Sequence, residues 1–370
     1  MCSHPSCNLD FSKLNGEENS YFFTSSNNNV YCVLHLPWVD KKHWETKKNN
    51  LEINRKLGLF EYAFRQIISN QGTLSYFIFP PDYQFTYDIK KYKLKFVECD
   101  FEHLSFNTSS SAGISFSRCN FYKFSNICNI SPTVLDSIVI EKCVFADGAS
   151  FKLPNTNTFI MSNNVFFYTL FIMDGEISTT FRLEDNFIDN NIVISNFVIP
   201  QESIFKRNKF VKLDEESESS FRSIRSQLSK HVNRYDEGLF YAFEQRCHRK
   251  RFKWYNPFRL ISFLYDYVSL YGLSYERLIF CFLTLQLLFY FEYASMADKV
   301  DFFSKVNIFV FTFGQLFKPF DIFSIKHVED QKLQSVLDTS IPFITAIHSL
   351  LSFSIFALIL IALRWRFKRG

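Results

Sequence analysis

The longest apolar run of the chain lies near its C-terminus. Residues 341–363 contain no Asp, Glu, Lys or Arg. As a helix they would cover about 34 Å, enough for the roughly 30 Å hydrocarbon core of a bilayer. A second apolar run starts at Leu278 and continues to about Ala297, interrupted only by Glu292. The pattern therefore predicts two membrane-spanning helices, one over about residues 275–297 and one over 341–363.

Basic residues stand at both ends of this apolar region. One block precedes the first run and another follows the second run: Arg249, Lys250, Arg251 and Lys253, and Arg364, Arg366, Lys368 and Arg369. Because basic residues beside membrane helices stay on the cytoplasmic side, both blocks are predicted to lie there and to anchor the chain to membrane lipid. An even number of crossings then separates the two blocks, which places both termini in the cytoplasm.

Two shorter apolar segments accompany the predicted crossings within residues 258–370. Residues 258–273 are rich in aromatic side chains and predict a helix in the headgroup layer. The alternative is an amphipathic helix packed on the soluble part of the protein. Residues 306–317 would form a helix of about 18 Å, which is too short to span a bilayer. A re-entrant or interfacial helix is therefore predicted there.

Polar residues interrupt one face of the second predicted crossing. Thr345, His348, Ser349 and Ser352 follow the i, i+3, i+4, i+7 spacing of a helical face. Polar groups within a membrane face a partner helix or a water-filled path. Glu292 either faces the same interior or lies at the outer interface, so helix–helix contact and pore lining both remain open. Pore lining would require a homo-oligomer, since two crossings cannot enclose a channel.

Phenylalanine recurs at regular intervals in the middle of the chain. A five-residue period joins Phe96, Phe101, Phe106, Phe116 and Phe121, and it fits neither a helix nor a strand. A longer unit, an apolar residue followed by x-x-Cys/Asn-x-Phe, ends at Phe101, Phe121, Phe145, Phe166 and Phe210, with a weaker copy from Arg182 to Phe187. Repeats of about 20 residues predict stacked turns that share one core.

The predicted fold is thus a mainly β solenoid over residues 74–213, with Phe stacked on Phe and Cys or Asn beside its counterpart in the next turn. The alternative is an ordinary sandwich of short strands. Within the repeat, Cys99-Asp100-Phe101 and Cys119-Asn120-Phe121 resemble units of the pentapeptide-repeat family. The resemblance is good over residues 94–126 and degenerate to about 213. It implies a degenerate, right-handed, four-sided β-helix.

Solenoids need covered ends. The acidic run 214–218 and the residues after it predict a helical cap and basic connector over residues 214–257. At the other end, residues 41–73 are predicted to form a helical linker or cap, with apolar residues on one helical face: Phe60, Phe64, Ile67 and Ile68.

Four residues near the N-terminus have the spacing of a zinc site. Cys2, Cys7, Cys32 and His35 form the pattern C-x4-C-x24-C-x2-H. The Cys-x-x-His-x-Pro at Cys32, His35 and Pro37 resembles the short Cys/His-rich heads of some pentapeptide-repeat proteins. A structural Zn2+ held by two close pairs would stabilise residues 1–40, which are too few to hold a core. The alternative is a set of unrelated cysteines. Nine Cys without an apolar signal region favour reduced thiols in a cytosol.

Composition and motifs argue against several classes of function. The net charge of +4 is too small to predict sequence-specific nucleic-acid binding. With 47 Phe and 10 Gly, the chain is neither disordered nor collagen-like. No P-loop, G-x-G-x-x-G, G-x-S-x-G or H-E-x-x-H motif occurs in the sequence. An enzyme is therefore not expected, no catalytic residue is predicted, and zinc is the one cofactor predicted.

The C-terminal part of the chain resembles bacterial membrane-anchored pentapeptide-repeat proteins, at residues 240–244 and 362–368. The architecture is similar to that of two-transmembrane effectors of antiphage systems, including those encoded beside retron reverse transcriptases. This resemblance implies a toxic inner-membrane protein, restrained by a cytosolic regulatory complex such as a reverse transcriptase with its RNA–DNA product. Once triggered, it would permeabilise or depolarise the membrane and cause abortive infection.

Two other functions are kept as alternatives. A regulated ion channel would use the two crossings and the short segment between them, although Thr312-Phe313-Gly314-Gln315 lacks a repeated backbone-carbonyl filter. A non-toxic membrane-anchored scaffold would use the β-helix as a binding surface. Cell killing, or a change in the conductance of one ion, distinguishes these functions from each other.

Overall fold

The computed structural model describes residues 22–24, 30–36, 56–65, 72–80, 83–85, 93–108, 113–129, 134–153, 155–230, 234–296, 308–310, 312–314 and 342–367. The chain divides into two compact units, Met1–Lys250 and Arg251–Gly370. The first unit contains the repeats and the second contains the long apolar helices, so each unit is described by itself.

The first unit is a parallel β-solenoid of about five turns, which confirms the predicted fold class. An antiparallel pair, β1 (Phe22–Thr24) and β2 (Val30–Cys32), precedes it. The first sheet stacks β3 (Thr73–Ser75), β5 (Leu94–Val97), β8 (Ile114–Ser117), β11 (Leu135–Glu141), β14 (Thr156–Ser162), the second half of β16 (Leu170–Glu184) and β19 (Ser203–Lys206).

Two further parallel sheets complete the turns. One consists of two-residue strands: β6 (Asp100–Phe101), β9 (Asn120–Phe121), β12 (Val144–Phe145), β15 (Val165–Phe166), β17 (Phe187–Ile188) and β20 (Lys209–Phe210). The other contains β4 (Tyr83–Phe85), β7 (Leu104–Thr108), β10 (Ser125–Asn129), β13 (Ala149–Lys152), the first half of β16 and β18 (Ile192–Val198). The described residues thus form strands on three sides of a turn, whereas the five-residue period predicts four sides.

Stacked phenylalanines fill the interior of the solenoid. Five of these rings form one column with successive centroid distances of 4.4, 5.0, 4.3 and 4.6 Å: Phe79, Phe101, Phe121, Phe145 and Phe166. Phe96 and Phe116 stack in the neighbouring sheet at 4.9 Å. Nearly parallel rings in register contribute about 0.5–1.5 kcal/mol per pair beyond the burial of their area. The predicted stacking of Phe on Phe is therefore present.

A second column consists of the Cys and Asn residues of the repeat. Asn164 Nδ2 donates to Asn186 Oδ1 over 3.0 Å, and Asn186 Nδ2 donates to Asn208 Oδ1 over 3.0 Å. The Cys143 backbone N donates to Asn164 Oδ1 over 2.9 Å, and the Cys119 backbone N lies 3.4 Å from Cys143 Sγ. The column satisfies buried backbone groups at the corner after the first sheet, as the predicted pairing of Cys or Asn between turns requires.

The register corrects the boundaries of the weak repeat. Phe166 pairs with Ile188, and Val165 pairs with Phe187. The unit therefore starts at Leu183 and ends at Ile188, because side chains alternate along a strand and a shift of one residue reverses their direction. The interpretation that began this unit at Arg182 and ended it at Phe187 was wrong by one residue.

Residues with left-handed backbone conformation turn the corner before the short sheet. They are Tyr76, Glu98, Arg118, Lys142, Asn163, Asp185 and Arg207, with φ between 51° and 62°. Some of their side chains pair between turns, since Arg118 Nη1 lies 2.6 Å from Glu98 Oε1 and Arg207 Nη2 lies 2.7 Å from Asp185 Oδ2. None of these residues is a glycine, although this conformation favours glycine.

Helices pack against the solenoid both before its first turn and after its last turn in the sequence. A helix over residues 56–65, α1, contributes Phe60 and Phe64, whose rings lie 5.7 and 5.6 Å from that of Phe79. Ile67 and Ile68, predicted for the same helical face, lie outside the described residues. After the last turn come α2 (Glu215–Lys230) and α3 (Arg234–Lys250), within the segment for which helices are predicted.

Helix α2 covers the edge of β18 that no further strand pairs with. Ser220 Oγ accepts a hydrogen bond from the Ile194 backbone N over 2.9 Å. Gln227 accepts from the Ile199 backbone N over 2.8 Å and donates to the Phe197 carbonyl over 2.6 Å. These contacts satisfy backbone groups that the next turn would otherwise pair with, so α2 protects the edge from association with other strands.

The second unit contains three helices among its described residues, α4 (Pro257–Ser269), α5 (Tyr275–Met296) and α6 (Pro342–Phe367). Helical residues also occur at 308–310 and 312–314, within the segment predicted as a short apolar helix. Two spans, Tyr275–Ser295 and Ala346–Arg364, are long and apolar enough to cross a membrane. The two predicted crossings correspond to these helices.

Candidate functional site

Large apolar side chains cover the outer sides of α5 and α6. Phe280 and Leu288 on α5 are 72% and 63% exposed, and Leu350 on α6 is 66% exposed. Leu278, Ile359 and Ala362 pack between the helices. The two helices therefore expose on their outer sides the kind of surface that a soluble protein buries in its core.

A chain of hydrogen bonds connects α5 and α6 in their apolar surroundings. Tyr293 Oη lies 3.1 Å from His348 Nδ1, and His348 Nε2 lies 3.3 Å from Gln286 Oε1. Gln286 Nε2 donates to Ser352 Oγ over 2.7 Å. Since the Gln286 amide oxygen can only accept, His348 Nε2 donates to it, and in the neutral imidazole Nδ1 then accepts from the Tyr293 hydroxyl. We call these four residues the polar cluster.

The polar cluster is enclosed by protein. His348 and Ser352 are fully buried and Gln286 is 3% exposed. The ring of Phe289 stacks on His348 with a centroid distance of 4.0 Å. Each hydrogen bond matches a donor with an acceptor, so the cluster holds polar groups between apolar helices without leaving its own amide and imidazole unsatisfied.

Two residues of the predicted polar face belong to the cluster. His348 and Ser352 contribute directly, while Ser349 is buried beside them at 6% exposure. The Thr345 side chain lies outside the described residues. Glu292 is exposed; it is not in the cluster because its neighbour Tyr293 occupies the inner side and one residue turns a helix by about 100°.

Sequence reasoning missed Gln286 and Tyr293. Gln286 is the one amide in the apolar run of α5, and Tyr293 follows it at i+7 on the same helical face. That spacing was the available signal. In the described residues both side chains bind the polar face of α6, so the geometry there is that of helix–helix contact.

The predicted zinc ligands lie partly within the described residues. Cys32 Sγ is 3.0 Å from His35 Nδ1, and both residues are buried. Such proximity suits two ligands of one ion. Cys2 and Cys7 lie outside the described residues, and no group of three metal-binding side chains occurs within the ranges that are described. The proposed Zn2+ therefore rests on the spacing and on this one close pair.

The predicted anchoring residues lie at the ends of helices. Arg249 and Lys250 end α3. Arg251 and Lys253 are exposed between α3 and α4, and Arg364 lies on the last turns of α6. The Arg366 side chain and residues 368–369, which include Lys368 and Arg369, lie outside the described residues.

Burial affects the cysteines of the solenoid. It raises the pKa of the Cys99 and Cys143 thiols well above the usual value for cysteine. The neutral thiols serve as small apolar groups within the stacked column.

Comparison with known proteins assigns no family to the chain, because no family model, no curated protein and no solved structure matches it.

Proposed function

We propose that the chain is an antiphage effector of the bacterial inner membrane, which permeabilises or depolarises that membrane when triggered and so causes abortive infection. The observation that supports this proposal best is the pairing of α5 and α6. Their outer sides are apolar, while Gln286, His348, Tyr293 and Ser352 bind one another between them. The pair is suited to a bilayer, with its polar groups closed off.

The enclosed cluster represents the resting state in this proposal. Within one chain its members satisfy one another and are buried among the described residues. Permeabilisation requires several chains to assemble so that the polar face of α6, with His348 and Ser352, turns from α5 toward a shared interior. The active form is therefore a homo-oligomer in membrane lipid, with both termini of each chain in the cytoplasm.

The solenoid takes the regulatory role in this proposal. Stacked turns give an extended surface for partner binding, and the solenoid and the apolar helices belong to different compact units. A cytosolic complex, such as a reverse transcriptase with its RNA–DNA product, would restrain the effector until infection. This partner is the one implied by the similarity to two-transmembrane effectors encoded beside retron reverse transcriptases.

The test measures membrane potential and dye uptake in bacteria that express the full chain. The matched control is the full-length Leu288→Lys variant, because a charge on the outer side of α5 opposes insertion into hydrocarbon. A chain ending at residue 250 is a second control. All cells carry the neighbouring genes and are infected with phage. Depolarisation of the cells with the full chain, but not of the cells with either control, supports the proposal.

Two other results would contradict it. If cells keep their potential while the chain still protects against phage, the protein is a scaffold. If the conductance of one ion changes selectively and the cells survive, the protein is a regulated channel.

A further inference from the structure

Helix α4 turns its polar side inward and its apolar side outward. Asp266 and Ser269 are buried, and Ser262 Oγ lies 2.8 Å from Tyr271 Oη. Five large apolar side chains cover the other side, and each is at least 50% exposed: Leu260, Ile261, Phe263, Leu264 and Tyr267. Phe258, in the first turn, is exposed as well. This is the reverse of the pattern of a helix on a protein in water.

The apolar side of α4 is broad. At 100° per residue, these five positions span about 160° of the circumference of the helix, which is more than a seam for one partner helix. Exposed apolar surface of this extent is unfavourable in water and causes no penalty in hydrocarbon. The polarity of α4 therefore favours lipid as its surroundings.

The residues that precede α4 have the chemistry of the headgroup layer. Arg251 and Lys253 are exposed, Trp254 is 82% exposed, and Lys253 Nζ lies 5.9 Å above the Tyr255 ring. Tryptophan and tyrosine concentrate at the headgroup level of membranes, and basic side chains attract anionic lipids. This sequence of basic, aromatic and apolar residues matches the layers of a leaflet from the surface inward.

The connection to α5 continues the same surface. Three residues with positive φ, Leu270, Tyr271 and Gly272, follow α4 closely. Helix α5 starts soon afterwards, at Tyr275. A helix so close in sequence to a candidate membrane span is confined near the bilayer, if that span crosses it.

We infer that residues 251–269 form a lipid-binding surface for one leaflet. Arg251 and Lys253 bind phosphates of anionic phospholipids, Trp254 and Tyr255 lie among the headgroups, and the outer side of α4 enters the acyl chains. This placement is deeper than the headgroup layer that the sequence predicts, because α4 buries its polar side against protein rather than exposing it to water. The inference rests on the membrane location in the proposed function, but not on toxicity.

Fluorescence quenching in vesicles tests this inference with the full chain. Trp254 becomes the single tryptophan when Trp38, Trp44 and Trp365 are replaced by Phe. The protein is reconstituted into phosphatidylcholine and phosphatidylglycerol vesicles with lipids brominated either near the headgroup or far down the acyl chain. We expect headgroup-proximal bromine to quench Trp254 more strongly. In a second variant, Trp254→Phe with Phe263→Trp, we expect the distal bromine to quench more strongly.

A control and a charge variant complete the design. Phe280→Trp, in a chain with no other tryptophan, reports whether α5 is inserted. Arg251→Gln and Lys253→Gln should each lower the relative affinity for brominated phosphatidylglycerol on the order of fivefold. Unchanged lipid preference in both charge variants would overturn the assignment of phosphate binding to these residues.

The remaining outcomes separate this inference from the proposed function. If the α5 control is quenched by lipid, while Trp254 and the tryptophan of Phe263→Trp respond to iodide in water instead, α4 does not enter lipid. If neither lipid nor iodide quenches them, protein covers α4, as a second copy would, and the inference also fails. Absence of quenching in the α5 control contradicts the membrane location itself. Loss of depolarisation in cells, with lipid quenching intact, contradicts only the proposed function.

Discussion

Gln286 on α5 donates a hydrogen bond to Ser352 on α6 over 2.7 Å, and its amide oxygen lies 3.3 Å from His348 Nε2. One amide therefore joins two polar residues of the facing helix. In apolar surroundings no water replaces these hydrogen bonds, so their loss changes how firmly the helices pair.

Replacing Gln286 should weaken the resting pair. Gln286→Leu removes both contacts and should reduce helix association by about 0.6–2 kcal/mol. Under the proposed function, dye uptake without phage should then rise above that of the unmodified chain at equal expression. Leu287→Ala, at an exposed position on the same helix, is the control. Equal basal uptake in all three proteins would contradict the role of the cluster as a closed state.

The aromatic column should dominate the stability of the solenoid. Phe121 lies between Phe101 and Phe145 at centroid distances of 5.0 and 4.3 Å. Phe121→Ala should lower the free energy of unfolding by about 3–5 kcal/mol, since it leaves a cavity in a closely packed core. Urea unfolding of the full chain in detergent, followed by circular dichroism, measures the change. The neighbouring exposed Tyr122 gives the control Tyr122→Ala, for which a loss of comparable size would argue against the column.

The asparagine column makes a separate prediction. Asn186 Oδ1 accepts from the Asn164 backbone N over 3.1 Å, and Asn186 Nδ2 donates to the Met161 carbonyl over 3.0 Å. Asn186→Ala leaves those buried groups without their partners, which costs about 1–3 kcal/mol for each. The same unfolding measurement should show a large loss, whereas Gln201→Ala, at an exposed amide, should show almost none. An equal loss of stability in both variants would mean that the asparagine column is not a source of stability.

The left-handed corners predict a stabilising substitution. Lys142 has φ of 56°, a conformation that costs an L-residue about 1–2 kcal/mol and costs glycine nothing. Glycine also raises the entropy of the unfolded chain, so Lys142→Gly should stabilise the solenoid by about 1 kcal/mol or less. Lys152→Gly, within β13, should destabilise it by about 0.5–1 kcal/mol. The same sign for both variants would contradict this explanation of the corners.

The metal content of the purified protein tests the zinc prediction. Elemental analysis of the purified full chain should show one Zn2+ for each chain, and Cys32→Ser should release it, because Cys32 Sγ lies beside His35 Nδ1. Cys99→Ser, within the solenoid column, serves as the control and should retain the metal. Zinc-free protein from cells grown with zinc would show that the cysteine spacing is coincidental.

The sequence predicted features that a regular spacing encodes. The positions of Phe101, Phe121 and Phe145 predict the stacked column, because each turn places one residue at the same inward position. The exact unit at Leu183 and Ile188 could not be predicted, since Arg182 and Phe187 fit a similar spacing and only strand pairing decides between them. The corners at Lys142 and Arg118 gave no signal, because glycine, the residue that usually marks such turns, is absent from them.

The polar cluster shows a different limit. His348 and Ser352 could be placed on one face from the sequence of α6 alone. Gln286 and Tyr293 could not be assigned to that face, because their role depends on which side of α5 packs against α6 and at which height. Pairing between helices is a tertiary property, and the spacing within one helix does not determine it.

Under the proposed function, the chain depolarises the inner membrane of infected cells. The most direct measurement follows a potential-sensitive dye in single bacteria after phage addition, with the full chain and its neighbouring genes, beside the Leu288→Lys variant. We expect cells with the full chain to depolarise before any phage-induced lysis, while cells with the variant keep their potential until the phage lyses them. Cells that are protected from phage but keep their potential throughout would rule out membrane depolarisation as the function.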